Sequence, residues 1–161
     1  MSNFFHTIGL LTGNEIFKKL LQYFIACILL ATGIGKLLDV PGFVEVIKTY
    51  RVFPHWALPF IAVSMVLIEL RLSEALFRGN QLFEAALFSI GLHSIFTIWA
   101  IIALSRGLEI PNCGCFGVFW ARPLTWLTVF EDIVMVGASY LLACLAHKDN
   151  RPFNSIPKNR F

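Results

Sequence analysis

A chain of 161 residues allows one domain. With 57% hydrophobic and only 14% charged residues, it has too little polar surface to cover a water-facing globule, for which about a quarter charged is usual. The net charge of +3 is small, and no basic groove interleaved with aromatics occurs, so nucleic acid is excluded as a partner.

Residues 1–16 are read as an N-terminal interfacial segment. Lys18 and Lys19 precede an apolar block that no small-x-small cleavage pattern follows. That block is expected to be a retained first span. A membrane-spanning helix needs about 20 largely apolar residues. Four stretches qualify: 17–38, 56–77, 82–104 and 124–146. The second is the least apolar, because its run stops at Ile68 and Glu69, Arg71 and Glu74 follow. Arg71, Glu74 and Arg78 fall at i, i+3 and i+7, so they share a face and are expected to pair. Glu69, on another face and toward the cytoplasmic third, is expected to be an acid inside the bundle.

Between the first two spans, Phe43, Val46, Ile47 and Tyr50 recur at helical spacing, with Glu45, Lys48 and Arg51 between them. Two readings stand level: a short helix lying on the membrane surface, or a loop packed on the bundle. Phe53 to Trp56 reads as an interfacial anchor, and Arg78 to Gln81 as a tight turn. The expected fold is all-α: an integral membrane four-helix bundle with short interfacial helices. It occupies 17–146, ahead of a polar tail at 147–161.

Lys18, Lys19, Arg78, Lys148, Arg151, Lys158 and Arg160 fall on one side of this topology. Lys36, Lys48, Arg51, Arg106 and Arg122 fall on the other. The bias places both termini in the cytoplasm and the 106–122 loop outside. In a bacterium this is the inner membrane with a periplasmic loop, where disulfides form and persist.

That loop contains Cys113, Gly114 and Cys115, followed by Phe116 and Gly117. Glycine between the cysteines lets the backbone turn tightly enough to bring the sulfurs together. A disulfide closed over so few atoms departs from relaxed geometry and is the easily reduced, catalytic kind. The favoured reading is a redox-active dithiol; inert thiols in a tight loop are the rival. A zinc site needs four ligands, and only His55 could add one in the loops on this side, so no metal is assigned. Cys27 and Cys144, within spans, are expected to be small buried hydrophobes.

The end of the first span, with Gly33, Lys36, Leu37, Asp39 and Phe43, resembles the glycine, lysine-leucine, aspartate, phenylalanine signature of the MauE/DoxX-type family of redox-associated membrane proteins. Tyr50, Pro54 and Glu69 fall where such proteins tend to carry Tyr, Pro and an acid. Arg106 and Gly107, followed by the stretch from Cys113 to Gly117, resemble the MauE branch in particular. The resemblance implies a four-helix membrane bundle. MauE-type members are similar to accessory proteins that help form disulfides in methylamine dehydrogenase, alongside a thioredoxin-like partner. DoxX-type relatives are linked to quinone-coupled sulfur oxidation. This chain departs from the pattern at Glu131 and Asp132, near the start of the fourth span, where similar proteins often carry a basic residue.

Charges inside a bilayer are costly and are usually functional. Glu131 or Asp132 is a candidate acceptor for protons released by thiol oxidation; the competing reading is a structural pair with Lys36 or Arg106. His93, at the middle of the third span, is a candidate cofactor contact for a quinone oxygen, or a ligand for haem or a chlorophyll-type pigment. The blander expectation bonds it to Ser64 or Thr97.

Two functions follow. One is a membrane-embedded thiol–disulfide redox protein, in which Cys113 and Cys115 pass electrons between a periplasmic thioredoxin-like partner and a membrane acceptor such as a quinone. The other is a non-catalytic accessory subunit of a larger respiratory or photosynthetic membrane complex. Whether the chain is itself an enzyme stays open between them.

Overall fold

A computed structural model describes residues 2–149, with side chains over 15–147. The described residues form five α-helices: α1 (Ser2–Leu37), α2 (Val40–Thr49), α3 (Leu58–Arg78), α4 (Leu82–Ser105) and α5 (Trp126–Asp149). A 3-10 turn at His55–Ala57 leads into α3. The expected all-α membrane bundle is what the chain forms. Helix α1 is continuous from Ser2, so no break separates the N-terminal segment from the first span. Of the polar tail, all beyond 149 lies outside the described residues.

Three helical stretches are long and apolar enough to cross a membrane: Glu15–Leu37, Leu82–Ser105 and Trp126–His147. The chain is a multi-pass membrane protein. Helix α3 has the length of a span, about 31 Å at 1.5 Å per residue, but not the composition. Glu69, Arg71 and Glu74 set it apart from the other three. Arg71 and Arg78 both pair with Glu74, at 3.3 and 2.7 Å, as their spacing predicts.

Helix α3 runs against α1, and α4 against α5. Small hydroxyl side chains tie each pair where two backbones approach. Ser73 donates to the carbonyl of Ala26 at 2.8 Å, and Ser89 and Ser139 share a 2.9 Å bond. A core of Ile25, Leu29, Leu72, Leu76, Met135 and Leu142 fills the end of the bundle away from the cysteines. The outer surface is apolar: Phe60 and Phe88 are each more than 70% exposed. Such a coat is stable only against lipid. Cys27 and Cys144 belong to it, exposed instead of buried. A thiol is apolar enough for hydrocarbon to serve it as well as a protein interior does.

At the other end, α2 lies against α3 with Phe43 and Ile47 buried. The helical reading of that segment is therefore right, and it also packs on the bundle. Its start is written locally. Asp39 caps the helix by accepting from the Gly42 amide at 2.9 Å, and Pro41 occupies the first turn, where a missing N–H costs nothing.

Candidate functional site: a dithiol loop over a buried ion pair

Helix α4 ends at Arg106 and Gly107, and the chain crosses to α5 through the cysteine loop. Two backbone bonds close it: the Cys113 amide to the Arg122 carbonyl at 2.7 Å, and the Leu124 amide to the Ile110 carbonyl at 2.9 Å. Inside, the Asn112 side-chain oxygen Oδ1 accepts from the Gly114 amide at 2.9 Å, while its side-chain nitrogen Nδ2 donates to the Gly117 carbonyl at 3.2 Å. The Tyr50 hydroxyl donates to the Cys113 carbonyl at 2.7 Å, tying the loop to the end of α2. Burial, and then the two thiols nearby, push the Tyr50 phenol above its ordinary range, so it stays protonated and keeps donating.

Glycines set the depth at which the loop sits. Gly114 and Gly117 both have positive φ, at 78° and 75°. A Cβ on Gly117 would lie 2.2 Å from the Gly35 carbonyl oxygen, and one on Gly35 would lie 2.3 Å from that of Phe116. The loop backbone thus rests directly on the backbone at the end of α1. A Cβ on Gly114 would meet Val46 at 2.8 Å. Neither the left-handed conformation nor the approach admits a side chain.

The Cys113 and Cys115 sulfurs are 2.7 Å apart. The Cys115 amide also faces the Cys113 sulfur, at 3.4 Å. The two thiols share one contact, and the Cys115 amide faces Cys113 alone, so Cys113 is the sulfur better placed to hold negative charge. The Cys115 thiol bond, then that amide and the charge of Arg122, bring its pKa down to about 7 against the pull of burial. The bond with Cys113, and then burial, push the Cys115 thiol up. The structure divides acidity from residue exposure between the two cysteines. Cys113 is the more acidic and is buried; Cys115 is the more exposed.

A pH profile tests this division. Alkylation of Cys113 in the reduced protein is expected to rise with a midpoint near pH 7, because the reactive thiolate accumulates above its pKa. In Cys115→Ala the midpoint is expected to move up toward the ordinary thiol value of about 8.5. Identical midpoints near that value in both proteins would contradict the assignment.

Beneath the loop lies an ion pair that joins α1 to α3. Lys36, 2% exposed, bonds to Glu69, 1% exposed. The ammonium also sits over the rings of Phe43 and Phe96, at 5.5 and 5.4 Å from their centroids. Glu69 is inside the bundle as expected, but lies about midway along α3 and not in its cytoplasmic third. Its second oxygen, Oε2, is buried with no hydrogen-bond partner among the described residues.

The other candidates are divided. Glu131 reaches outward to Arg122 at 2.8 Å, and neither Lys36 nor Arg106 takes it. Asp132 turns inward and borders two spaces together with Lys36 and Cys115. One is a small cavity of about 60 Å³ between α2 and the loop. The other is a groove of about 440 Å³ along α1 and α5. His93 borders the groove but bonds back to its own helix: Nδ1 donates to the Ser89 carbonyl at 2.8 Å. Neither Ser64 nor the Thr97 hydroxyl holds the ring, since that hydroxyl donates to the His93 carbonyl. Lys36, weighed from the sequence as a partner for Glu131 or Asp132, pairs with Glu69 instead. Its signal was present, a lysine at the end of an apolar span, but its partner is 33 residues away. Among the described residues no cluster of three or more His, Cys, Asp or Glu could hold a metal ion.

The profile of the methylamine utilisation protein MauE family matches residues 14–145, most of the chain. The chain belongs to the MauE family. It is similar to the methylamine utilization protein MauE of Paracoccus denitrificans, 27% identical over 123 residues that cover 76% of this chain and 66% of that protein. It is also similar to the MauE protein of Methylorubrum extorquens, 27% identical over 135 residues, or 84% of this chain and 73% of that one. The chain thus spans about two thirds to three quarters of the MauE relatives it matches. No solved structure matches it significantly. The matched MauE region holds every part of the site, from Lys36 to Asp132.

Proposed function

We propose that this MauE-family chain is a membrane-embedded thiol–disulfide redox protein. Cys113 and Cys115 pass electrons between a thioredoxin-like partner in the periplasm and an acceptor in the inner membrane. Both termini lie in the cytoplasm. Its setting is accessory to a methylamine-utilisation system, as the names of its relatives indicate. The observation that carries the reading is the sulfur pair itself, 2.7 Å apart in a loop whose backbone rests on the end of α1.

The exchange follows from the asymmetry of the two cysteines. In the oxidised form a partner thiolate attacks Cys115, the less buried of the two residues. The S–S bond breaks and its electron pair leaves on Cys113, the better leaving group because its thiol is the more acidic. The partner's second thiolate then attacks the mixed disulfide and releases Cys115, which takes up a proton. The partner has lost two electrons and become a disulfide; Cys113 and Cys115 are the reduced pair. Asp132, which borders the same cavity as both sulfurs, is the acid placed to deliver that proton and to take it back when the pair is reoxidised. Glu131 is engaged by Arg122.

Thiol trapping of Cys113 and Cys115 in intact membranes, across a series of redox buffers, tests the proposal. The pair is expected to switch reversibly at a potential above the roughly −300 mV of structural disulfides. A pair locked in either state would return the chain to the role of a non-catalytic subunit.

A further inference from the structure

Four cysteines are present in all, and two of them, Cys27 and Cys144, sit alone on the lipid-facing surface. No second cysteine pair accompanies Cys113 and Cys115. Electrons that reach the loop therefore have no onward thiol within the chain and must leave from these two sulfurs directly.

The groove along α1 and α5 supplies the place. Its volume of about 440 Å³ lies within the range of small-molecule sites, about 300–1,000 Å³, whereas the 60 Å³ cavity behind the loop is too small for a ring. Its walls are apolar, and Phe24, Phe130 and Val134 on its rim are about half exposed, so it opens sideways into lipid. Its inner end is polar: Cys115, Lys36 and Glu69 border it. Glu69 is almost fully buried there, and its Oε2 has no hydrogen-bond partner among the described residues. Lys36 provides a fixed cation with Nζ donors. An occupant must enter from the bilayer and be largely apolar. At one end it must carry oxygens that accept from an ammonium, and it must take two electrons beside a thiol. A lipid-soluble quinone meets all of these conditions.

We propose that this groove is a quinone site and that the reduced pair is reoxidised there, an inference that rests on the redox role proposed above. The balance is complete. Cys113 as thiolate and Cys115 as thiol give up two electrons and one proton and join in an S–S bond. The quinone takes both electrons, that proton and a second proton from water, and its two carbonyl oxygens become the hydroxyls of a quinol. Lys36 orients one oxygen and stabilises the charge that develops on it; the free oxygen of Glu69 receives or returns a proton on that side.

The test uses the full chain, reduced and embedded in nanodiscs, with a short-chain ubiquinone analogue as the probe. Thiol trapping and quinol absorbance are followed together, beside a parallel oxidation by oxidised glutathione from water. One disulfide is expected per quinol formed. In Val134→Trp, which fills the groove from its lipid side, the ratio of the quinone-driven to the glutathione-driven rate is expected to fall at least tenfold. Ile28→Trp is a second obstruction, from α1. A photoreactive quinone is expected to label segments of α1 and α5 in a variant lacking both loop cysteines, which reads binding without turnover. Thiols that respond to glutathione but not to the quinone would overturn the groove assignment and leave the redox role standing, as would a ratio unchanged in both tryptophan variants. Thiols that respond to neither oxidant would overturn both.

Discussion

Lys36→Leu is expected to cost about 3–5 kcal/mol of stability, measured by unfolding in detergent. The lysine is one half of an ion pair that is almost wholly buried, so its loss leaves the Glu69 carboxylate without its compensating charge. Glu69 is already short of one partner at Oε2, which makes an additional loss expensive. Glu69→Leu is expected to cost less. The abandoned ammonium still lies over the Phe43 and Phe96 rings, and such contacts contribute about 2 kcal/mol or more where water is excluded. Replacing both residues by leucine is expected to recover most of the stability, because two charges no longer have to be desolvated. Equal single losses that add in the double variant would contradict this account.

Gly117→Ala is expected to displace the cysteine loop, at a cost of about 1–2 kcal/mol for the left-handed conformation and a further 1–3 kcal/mol for the clash. The new Cβ would stand 2.2 Å from the Gly35 carbonyl oxygen, and both sides of that contact are backbone, so no side chain can swing aside. Gly107→Ala is the control. Its φ is also positive, at 69°, but nothing lies within 4 Å of the added carbon, so only the conformational cost applies. The readouts are unfolding in detergent and the pH midpoint of Cys113 alkylation. The midpoint depends on the sulfur contact and the Cys115 amide in the seated loop, and is expected to rise in Gly117→Ala and to stay in place in Gly107→Ala. A Gly117→Ala protein with the stability and midpoint of the parent would show that the loop does not rest on α1.

The cysteine loop and the end of α1 explain each other. Lys36 reaches down to Glu69, Gly35 meets Gly117, Asp39 starts α2, and Phe43 lies beneath both the ammonium and Gly114. The stretch from Gly33 to Phe43 reads as a signature because four separate contacts converge on it. The redox motif is the part with the visible chemistry, but its geometry is held by this segment and by Tyr50.

Composition and the apolar blocks determined by themselves that the chain is an all-helical membrane protein. They placed α4 and α5 to within about three residues of their observed ends, since about 20 apolar residues have one stable arrangement in lipid. The close spacing of Cys113 and Cys115 announced the dithiol, because a glycine between two cysteines permits the left-handed turn that brings their sulfurs together. The i, i+3, i+7 spacing of Arg71, Glu74 and Arg78 was enough for their pairing, for an equally local reason. Only the tertiary structure decided the rest. Which side of a helix faces lipid turned Cys27 and Cys144 outward, and hydropathy cannot tell lipid from core when both are apolar. The turn of α5 sent Glu131 to Arg122 and Asp132 inward. Lys36 found Glu69 across 33 residues, a pairing that no local spacing encodes, since burial between two packed helices is what makes each charge require the other.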